Sequence, residues 1–526
     1  MILDAVNLPD DTPFLKQTIA DLVKSSTEKE AEIKLLREQI RYLRDKLFGR
    51  KTEKNRDTGQ LQLSLFDKSA GEVPQAPETG EKIEVPSHTR RKNGRKPLPS
   101  GLPRIDVIHD LSDEEKKCAC GCTKSRIGEE VSEQLDIVPA RMQVIRNIRY
   151  KYVCKNCEGV EGDEPAVKIA SMPEQIIPKS IATSGLLAHV LSAKFVDALP
   201  FYRQERQFAR LGVDISRATM CGWAMKVAES CKPLLEILRA EILSGPVVNI
   251  DETTLKLLFE PGKTGNSKSY MWIFMGGPPG SRSLYYEYHP TRAGDVVAGF
   301  LKEYKGYVQT DGYSGYDFLD RLSWIRHLAC WAHARRKFME VIKATGKSNA
   351  DRKKGIADEA IAFIRELYRI ERDARLLNLS CEELRKTRQE RALPVLNSFK
   401  AWLDNKSSQV PPKSLLGKAI GYTLKQWNRL VKYTEEGYLK PDNNDAENAI
   451  RPFVVGRKNW LFSGNPEGAN ASAAMFSLIE TAKANGIEPY NYLRFLFEEL
   501  PQARTTEDYK VLLPQYLDKD RLHPPA

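Results

Sequence analysis

Two short apolar runs, each stopping at an aspartate, constrain this chain more than anything else in it. Val247-Val248-Asn249-Ile250 leads into Asp251, and Gly306-Tyr307-Val308-Gln309-Thr310 leads into Asp311; turn or polar residues follow both. Such runs predict strands, so each aspartate is expected at a strand end, where side chains of a mixed sheet converge on a ligand. A third carboxylate lies far downstream, in residues 441–464, PDNNDAENAIRPFVVGRKNWLFSG. There a polar Asp442-Asn443-Asn444-Asp445 turn opens a short helix bearing Glu447 and Arg451. Phe453-Val454-Val455 reads as strand, and the remainder is basic, with an exposed indole expected at Trp460. Asn444 with Glu447 three residues later also fits a capping box, which needs no function. Two aspartates at strand ends and a glutamate on a flanking helix form a candidate cage for divalent cations. Magnesium takes hard oxygen ligands and leaves positions open for a substrate phosphate.

Charge and cysteine placement narrow the function classes open to the chain. Lys plus Arg, 81, exceeds Asp plus Glu, 70, for a formal net charge of +11 over 526 residues, which favours a polyanionic partner. No stretch approaches the roughly 18 to 20 apolar residues of a membrane span, and the first residues lack the basic and apolar regions of a secretion signal, so a cytoplasmic location without membrane contact is expected. Cys118, Cys120, Cys122, Cys154 and Cys157 lie close together in sequence, which points to a metal site in a reducing compartment rather than a disulfide framework.

Taken in order, residues 1–50 read as a helix whose Ile33, Leu36, Ile40, Leu43 and Leu47 form a seam, suited to a coiled-coil dimer or to packing back on its own domain. Residues 51–103 are a Pro- and Gly-rich linker. Within it Arg91, Arg95 and Lys96 belong to a basic run that suits a DNA minor groove, or serves only as a solvated tether. In 104–165 the Cys154 and Cys157 knuckle, with Cys120 and either Cys118 or Cys122, suits a structural Zn2+; residues 129–154 between the knuckles alternate like strands of a ribbon. Residues 175–244 are helical. A Leu211-Gly212-Val213 break and a Ser216 cap predict a helix-turn-helix with Arg217 facing a major groove, or else a plain helical hairpin. In 245–340 VVNID, SYMWIFMGG and SLYYEYHP predict an antiparallel meander. The GYVQTD strand follows, and then a strand passing into a helix that carries His333 and Arg336. A helical insertion is expected over 341–440, the Glu447 segment over 441–475 and a helical C-terminal region over 476–526.

The motifs NIDET, VQTDGYSGY, CWAHARRKF at 330–338, DNNDAENAIRPFVVGRKNWLFSG and SLIETAKANGIEPYNYL at 477–493 together resemble the DDE transposases of bacterial insertion sequences, specifically the large TnpC-type protein of the insertion-sequence sixty-six family. The resemblance covers nearly the whole chain. It implies an α+β multidomain protein with an RNase H-like catalytic core interrupted by a helical insertion. It implies metal-dependent DNA cleavage and strand transfer at Asp251, Asp311 and Glu447 with two Mg2+ or Mn2+ ions. It further implies DNA partners (inverted-repeat ends and target), a homo-oligomer, two small accessory proteins of the same element and a nucleoid-associated location. The first knuckle, CACGC, departs from the family's CxxCG, which leaves the fourth zinc ligand open. By side-chain chemistry, Arg457 and Lys458 suit phosphate contact, Trp460 stacking on an unpaired base, and His333 with Arg336 support of the carboxylate cage, or else each of the five serves packing or a solvated surface. The competing expectation is a transposase-derived DNA-binding regulator that does not cut. A two-carboxylate sugar hydrolase would leave the basic N-terminal half without a role.

Overall fold

The structure, a computed structural model, describes residues 12–48, 104–106, 142–153, 167–262, 268–344 and 355–522. Most of these belong to one unit formed by 1–55 and 148–526; a second unit, 56–147, is described only at 104–106 and 142–147. Arg91, Arg95, Lys96, Cys118, Cys120, Cys122, Cys154 and Cys157 lie outside the described residues.

The strands expected around the two aspartates form one five-stranded sheet. Its members are β1 (Val247–Lys256), β2 (Lys268–Gly276), β3 (Ser283–His289), β4 (Gly306–Gln309) and β5 (Ile325–Leu328), in the order β3-β2-β1-β4-β5. β1, β2 and β3 are antiparallel neighbours, whereas β4 and β5 run parallel to β1. Parallel pairing needs a crossover connection, and the helix Gly294–Phe300 lies in the one from β3 to β4.

β2 shows why the sheet is central. Trp272 and Phe274 pack into one layer with Ile242, Val297 and Phe300. Met271, Ile273 and Met275 pack into the other, with residues of the helices Ser184–Phe195, Pro466–Ala484 and Pro489–Glu499. Successive side chains of a strand face opposite ways, so a strand covered on both faces reads as the unbroken apolar run MWIFM.

Beyond the sheet, residues 355–434 form a helical layer around Ile364, Leu367, Phe399 and Leu403, joined to the sheet through Tyr307 and Leu328. Arg388, 1% exposed, ties this layer together by pairing with Glu371 and donating to the carbonyls of Tyr433, Glu436 and Leu439. On the N-terminal side, the helices Phe201–Arg210 and Arg217–Ser230 flank the expected break. Gly212 takes φ +80°, a region open to glycine because it lacks a Cβ, and Ser216 Oγ accepts the Thr219 N–H at 3.1 Å. Further upstream, Thr12–Phe48 is one helix of 37 residues, and Ile19, Leu22, Ile33, Leu36, Ile40 and Leu43 along it are exposed. No helix among the described residues is long and apolar enough to cross a membrane.

Several local expectations are corrected. Phe453-Val454-Val455 is not strand but part of a continuous helix, Asn444–Trp460, which also contains Pro452. Ala446, Ile450, Phe453 and Gly456 are buried along it, and burial of that stripe at helical spacing overrides the strand preference of two valines. The N-cap is Asn443, not Asn444, and its side chain makes no capping bond because it is engaged elsewhere. Asp251 lies inside β1, not at its end; it is β4 that stops there, the last parallel pair being Asn249 with Gln309. Of the expected ribbon, the described part is strand only at Lys151–Val153, which pairs with Val167–Ile169. Its neighbours Val144, Ile145, Ile148 and Tyr150 are exposed, and two strands without a packed face have little to hold them.

Candidate active site

Three buried amides join the elements that carry the carboxylates. Asn249 Nδ2 donates to Gln309 Oε1 and to Asn443 Oδ1, both at 2.9 Å, and Asn443 Nδ2 donates to the Ile250 carbonyl at 2.9 Å. Gln309 Nε2 donates to the Lys440 carbonyl at 2.9 Å. Asn249 stands two positions before Asp251, so strand alternation puts both on one side of β1. Asn443 precedes Glu447 by one helical turn and accepts its N–H at 3.1 Å. The middle of β1, the end of β4 and the start of the Asn444–Trp460 helix are thereby fixed around one point.

Negative charge accumulates there. The Asp251 carboxyl is pushed up to about 8, first by burial and then by the charges of Glu252, Glu447 and Asp311; its own acceptance of the Glu252 N–H at 2.9 Å works the other way. Asp311 Oδ1 accepts the Tyr313 N–H at 2.9 Å. The Glu252 side chain, 2% exposed, pairs with Arg292 and accepts from the Tyr316 hydroxyl. Burial raises its carboxyl above the usual range, and those two partners pull it back. Arg292 also lies 4.0 Å from Asp311 Oδ2 and stacks on the Tyr313 ring at 3.7 Å. Glu447 divides its oxygens: Oε2 is 3.3 Å from Arg336 Nη2, and Oε1 is 3.5 Å from His333 Nδ1. Burial lowers the His333 imidazole below its usual range, with the Glu447 charge opposing and Arg336 reinforcing.

These residues fit divalent cations. A desolvated carboxylate among like charges is what a bound cation relieves, and Asp251 is in that position. Glu447 Oε1 is buried and has no hydrogen-bond partner among the described residues. Carboxylate oxygens are the donors that magnesium and manganese take.

The other expected residues are distributed unevenly. His333 and Arg336 both reach Glu447. Arg457 lies against β1 beyond Asp251, its Nη1 donating to Thr253 Oγ1 at 3.2 Å and Thr254 Oγ1 at 3.1 Å, and Lys458 is exposed. Trp460 is not the exposed indole expected. Its ring packs against Phe453 and Phe476 with the Lys194 ammonium 4.7 Å from its centroid, and glycine at 456 makes room, since a Cβ there would meet the ring at 2.3 Å. Arg217 is exposed at the first position of its helix, with its N–H donated to Glu205 Oε1. Sequence reasoning does not find Glu252, Arg292, Tyr316 or Cys330. Simple alternation would turn Glu252 away from Asp251, and Arg292 sits in a connection without periodicity; the acidic doublet Asp251-Glu252 is the only local signal.

A family model described as Transposase IS66 family matches residues 179–471. Models described as Transposase C of IS166 homeodomain, zinc-finger binding domain of transposase IS66 and IS66 C-terminal element match residues 35–107, 115–158 and 477–515. Among relatives, the uncharacterized protein y4jD of Sinorhizobium fredii (strain NBRC 101917 / NGR234) is 33% identical over 534 residues, covering 98% of this chain and 98% of its own. The uncharacterized protein y4qI of the same organism is 30% identical over 557 residues, covering 99% of this chain and 100% of its own.

Proposed function

The chain belongs to the IS66 family of transposases, and on that premise we propose that it binds the ends of an insertion sequence and cuts and joins DNA strands at Asp251, Asp311 and Glu447. The observation that carries this reading is the buried amide joint: Asn249, two residues before Asp251, bonds to Gln309, two residues before Asp311, and to Asn443, one helical turn before Glu447, although a helical layer separates the latter two carboxylates in sequence. The order β3-β2-β1-β4-β5, antiparallel over three strands and parallel over the last two, supports an RNase H-like core.

Two Mg2+ or Mn2+ ions held by these carboxylates would supply an activated water and stabilise the departing 3′ oxygen, for hydrolysis and strand transfer alike. The chain's own residues position the rest. Arg336 holds one Glu447 oxygen, and Arg292 balances Glu252 and Asp311. Lys458, with Arg457 on the same helix, offers cations to a DNA backbone. The helix pair with Arg217 would read a major groove, while Arg91, Arg95 and Lys96 would follow a minor groove. A structural Zn2+ on Cys120, Cys154, Cys157 and either Cys118 or Cys122 would hold the finger. The exposed seam of Thr12–Phe48 would pair two copies, as a synapse of two DNA ends requires, with the element's two small proteins as further partners at the nucleoid.

The test is cleavage of DNA carrying the element's own ends by full-length protein with Mg2+ or Mn2+. Wild type is expected to cut, while Asp251→Asn, Asp311→Asn and Glu447→Gln bind the ends without cutting. Four proteins that cut alike would place the chemistry elsewhere; four that bind and never cut would leave a DNA-binding regulator.

A further inference from the structure

Glu447 Oε1 and His333 Nδ1 are both buried, both lack a hydrogen-bond partner among the described residues, and lie 3.5 Å apart. A shared proton does not account for the pair, because N–H···O hydrogen bonds fall at about 2.7–3.2 Å. The separation is that of two ligands on one ion. With metal–nitrogen and metal–oxygen distances of about 2.0–2.2 Å, neighbouring ligands stand roughly 3.0–3.5 Å apart as the angle between them opens from octahedral to tetrahedral. Arg336 takes the other Glu447 oxygen at 3.3 Å, so Oε1 is the atom left for coordination.

Hydrogen bonds tie together the two elements that carry the pair. His333 lies in the first turn of the helix Trp331–Ala344, whose Trp331 N–H donates to the Pro441 carbonyl at 2.9 Å, just before the segment that begins the Glu447 helix. Cys330 Sγ lies within 4.8 Å of a His333 ring nitrogen and a Glu447 carboxylate oxygen and accepts the Asn443 N–H at 3.2 Å. Its sulfur is thus already engaged, leaving nitrogen and carboxylate oxygen as the coordinating pair.

We propose that His333 Nδ1 is a direct ligand of the divalent ion held by Glu447. This position is then a mixed nitrogen and oxygen site, which takes first-row ions such as Mn2+ in preference to Mg2+, whose coordination is by oxygen. The inference rests on Glu447 being a metal ligand, as in the function proposed above, and can fail separately from it.

Full-length protein labelled with 15N-histidine and loaded with Mn2+ tests it through pulsed EPR, which reads hyperfine coupling from a ligating nitrogen, with Mn2+ titrations in parallel. Wild type is expected to show coupling from one histidine, absent from His333→Ala and His333→Asn. His333→Ala should weaken Mn2+ binding by on the order of tenfold or more. His333→Asn, whose amide oxygen can occupy the Nδ1 position, should recover part of that affinity without coupling and shift preference toward Mg2+. Mn2+ that binds, is lost on Glu447→Gln and shows no histidine coupling would overturn this inference and leave the carboxylate site standing. Coupling that survives in both His333 variants would also overturn it, and the absence of any Glu447-dependent Mn2+ binding would overturn both readings.

Discussion

Asn249 Nδ2 and Asn443 Oδ1 meet at 2.9 Å in the interior, from positions 194 residues apart. That hydrogen bond joins the central strand to the first turn of the helix bearing Glu447. Asn443 completes the joint by donating to the Ile250 carbonyl and presenting its N–H to Cys330 Sγ. The side chain that an isolated helix would use as its own cap serves instead to place the third carboxylate.

Breaking that joint should cost stability and cation binding together. Asn443→Ala strands the Ile250 carbonyl and removes one acceptor from Asn249, and each orphaned buried polar group costs roughly 1–3 kcal/mol. Urea denaturation of the two single alanine variants and the Asn249→Ala/Asn443→Ala pair should give a coupling energy above about 0.5 kcal/mol. Strict additivity would mean that the amides act independently.

The raised Asp251 carboxyl predicts a pH dependence. Its ordinary value is 3.8 and its folded value about 8. Folded and unfolded forms are both protonated below the first, so the stabilisation is fully present there. As pH rises, the unfolded chain releases the proton while the folded one keeps it, and the stabilisation is lost through about 8. Asp251→Asn removes this penalty. In buffer without magnesium or manganese the variant should melt above wild type, by a wider margin at pH 9 than at pH 5, and added Mn2+ should raise the wild-type melting temperature more than the variant's. A margin that does not change with pH would contradict the raised Asp251 carboxyl.

Arg292 places a fixed cation against Glu252 and 4.0 Å from Asp311. Removing it lowers competition for the same negative charge but leaves Glu252 buried without its cationic partner, with the Tyr316 hydroxyl still bonded to it. Arg292→Ala should therefore bind Mn2+ severalfold more tightly while melting at a lower temperature. Weaker Mn2+ binding would show that Arg292 orients a ligand rather than competing with the ion.

Arg388 is the joint of the helical layer. Replacing it with methionine leaves Glu371 and the carbonyls of Tyr433, Glu436 and Leu439 without their donor. Breaking a buried pair from one side costs about 3–5 kcal/mol, and amide exchange should accelerate across 355–434 more than across the sheet. Uniform acceleration would mean that the layer does not open by itself.

What was legible in sequence follows the range of the forces involved. The sheet strands announce themselves through apolar and β-branched runs, and the Gly212 turn with its Ser216 cap is written within a few residues. The Phe453-Val454-Val455 segment misleads because its helical register comes from burial of Ile450 and Phe453 against distant parts of the chain. Trp460 misleads for the same reason, since Phe476 and Lys194 cover it. The amides Asn249, Gln309 and Asn443 carry no local pattern at all: each is an ordinary polar residue whose partner lies far along the chain.

The account depends on three carboxylates from separate elements meeting around divalent ions. Crystals of the full chain soaked in Mn2+ test this through anomalous scattering. The predicted result is a peak at coordinating distance, about 2.0–2.6 Å, from carboxylate oxygens of Asp251, Asp311 and Glu447. Ordered Mn2+ elsewhere, with any one of the three turned away from the other two, would contradict it.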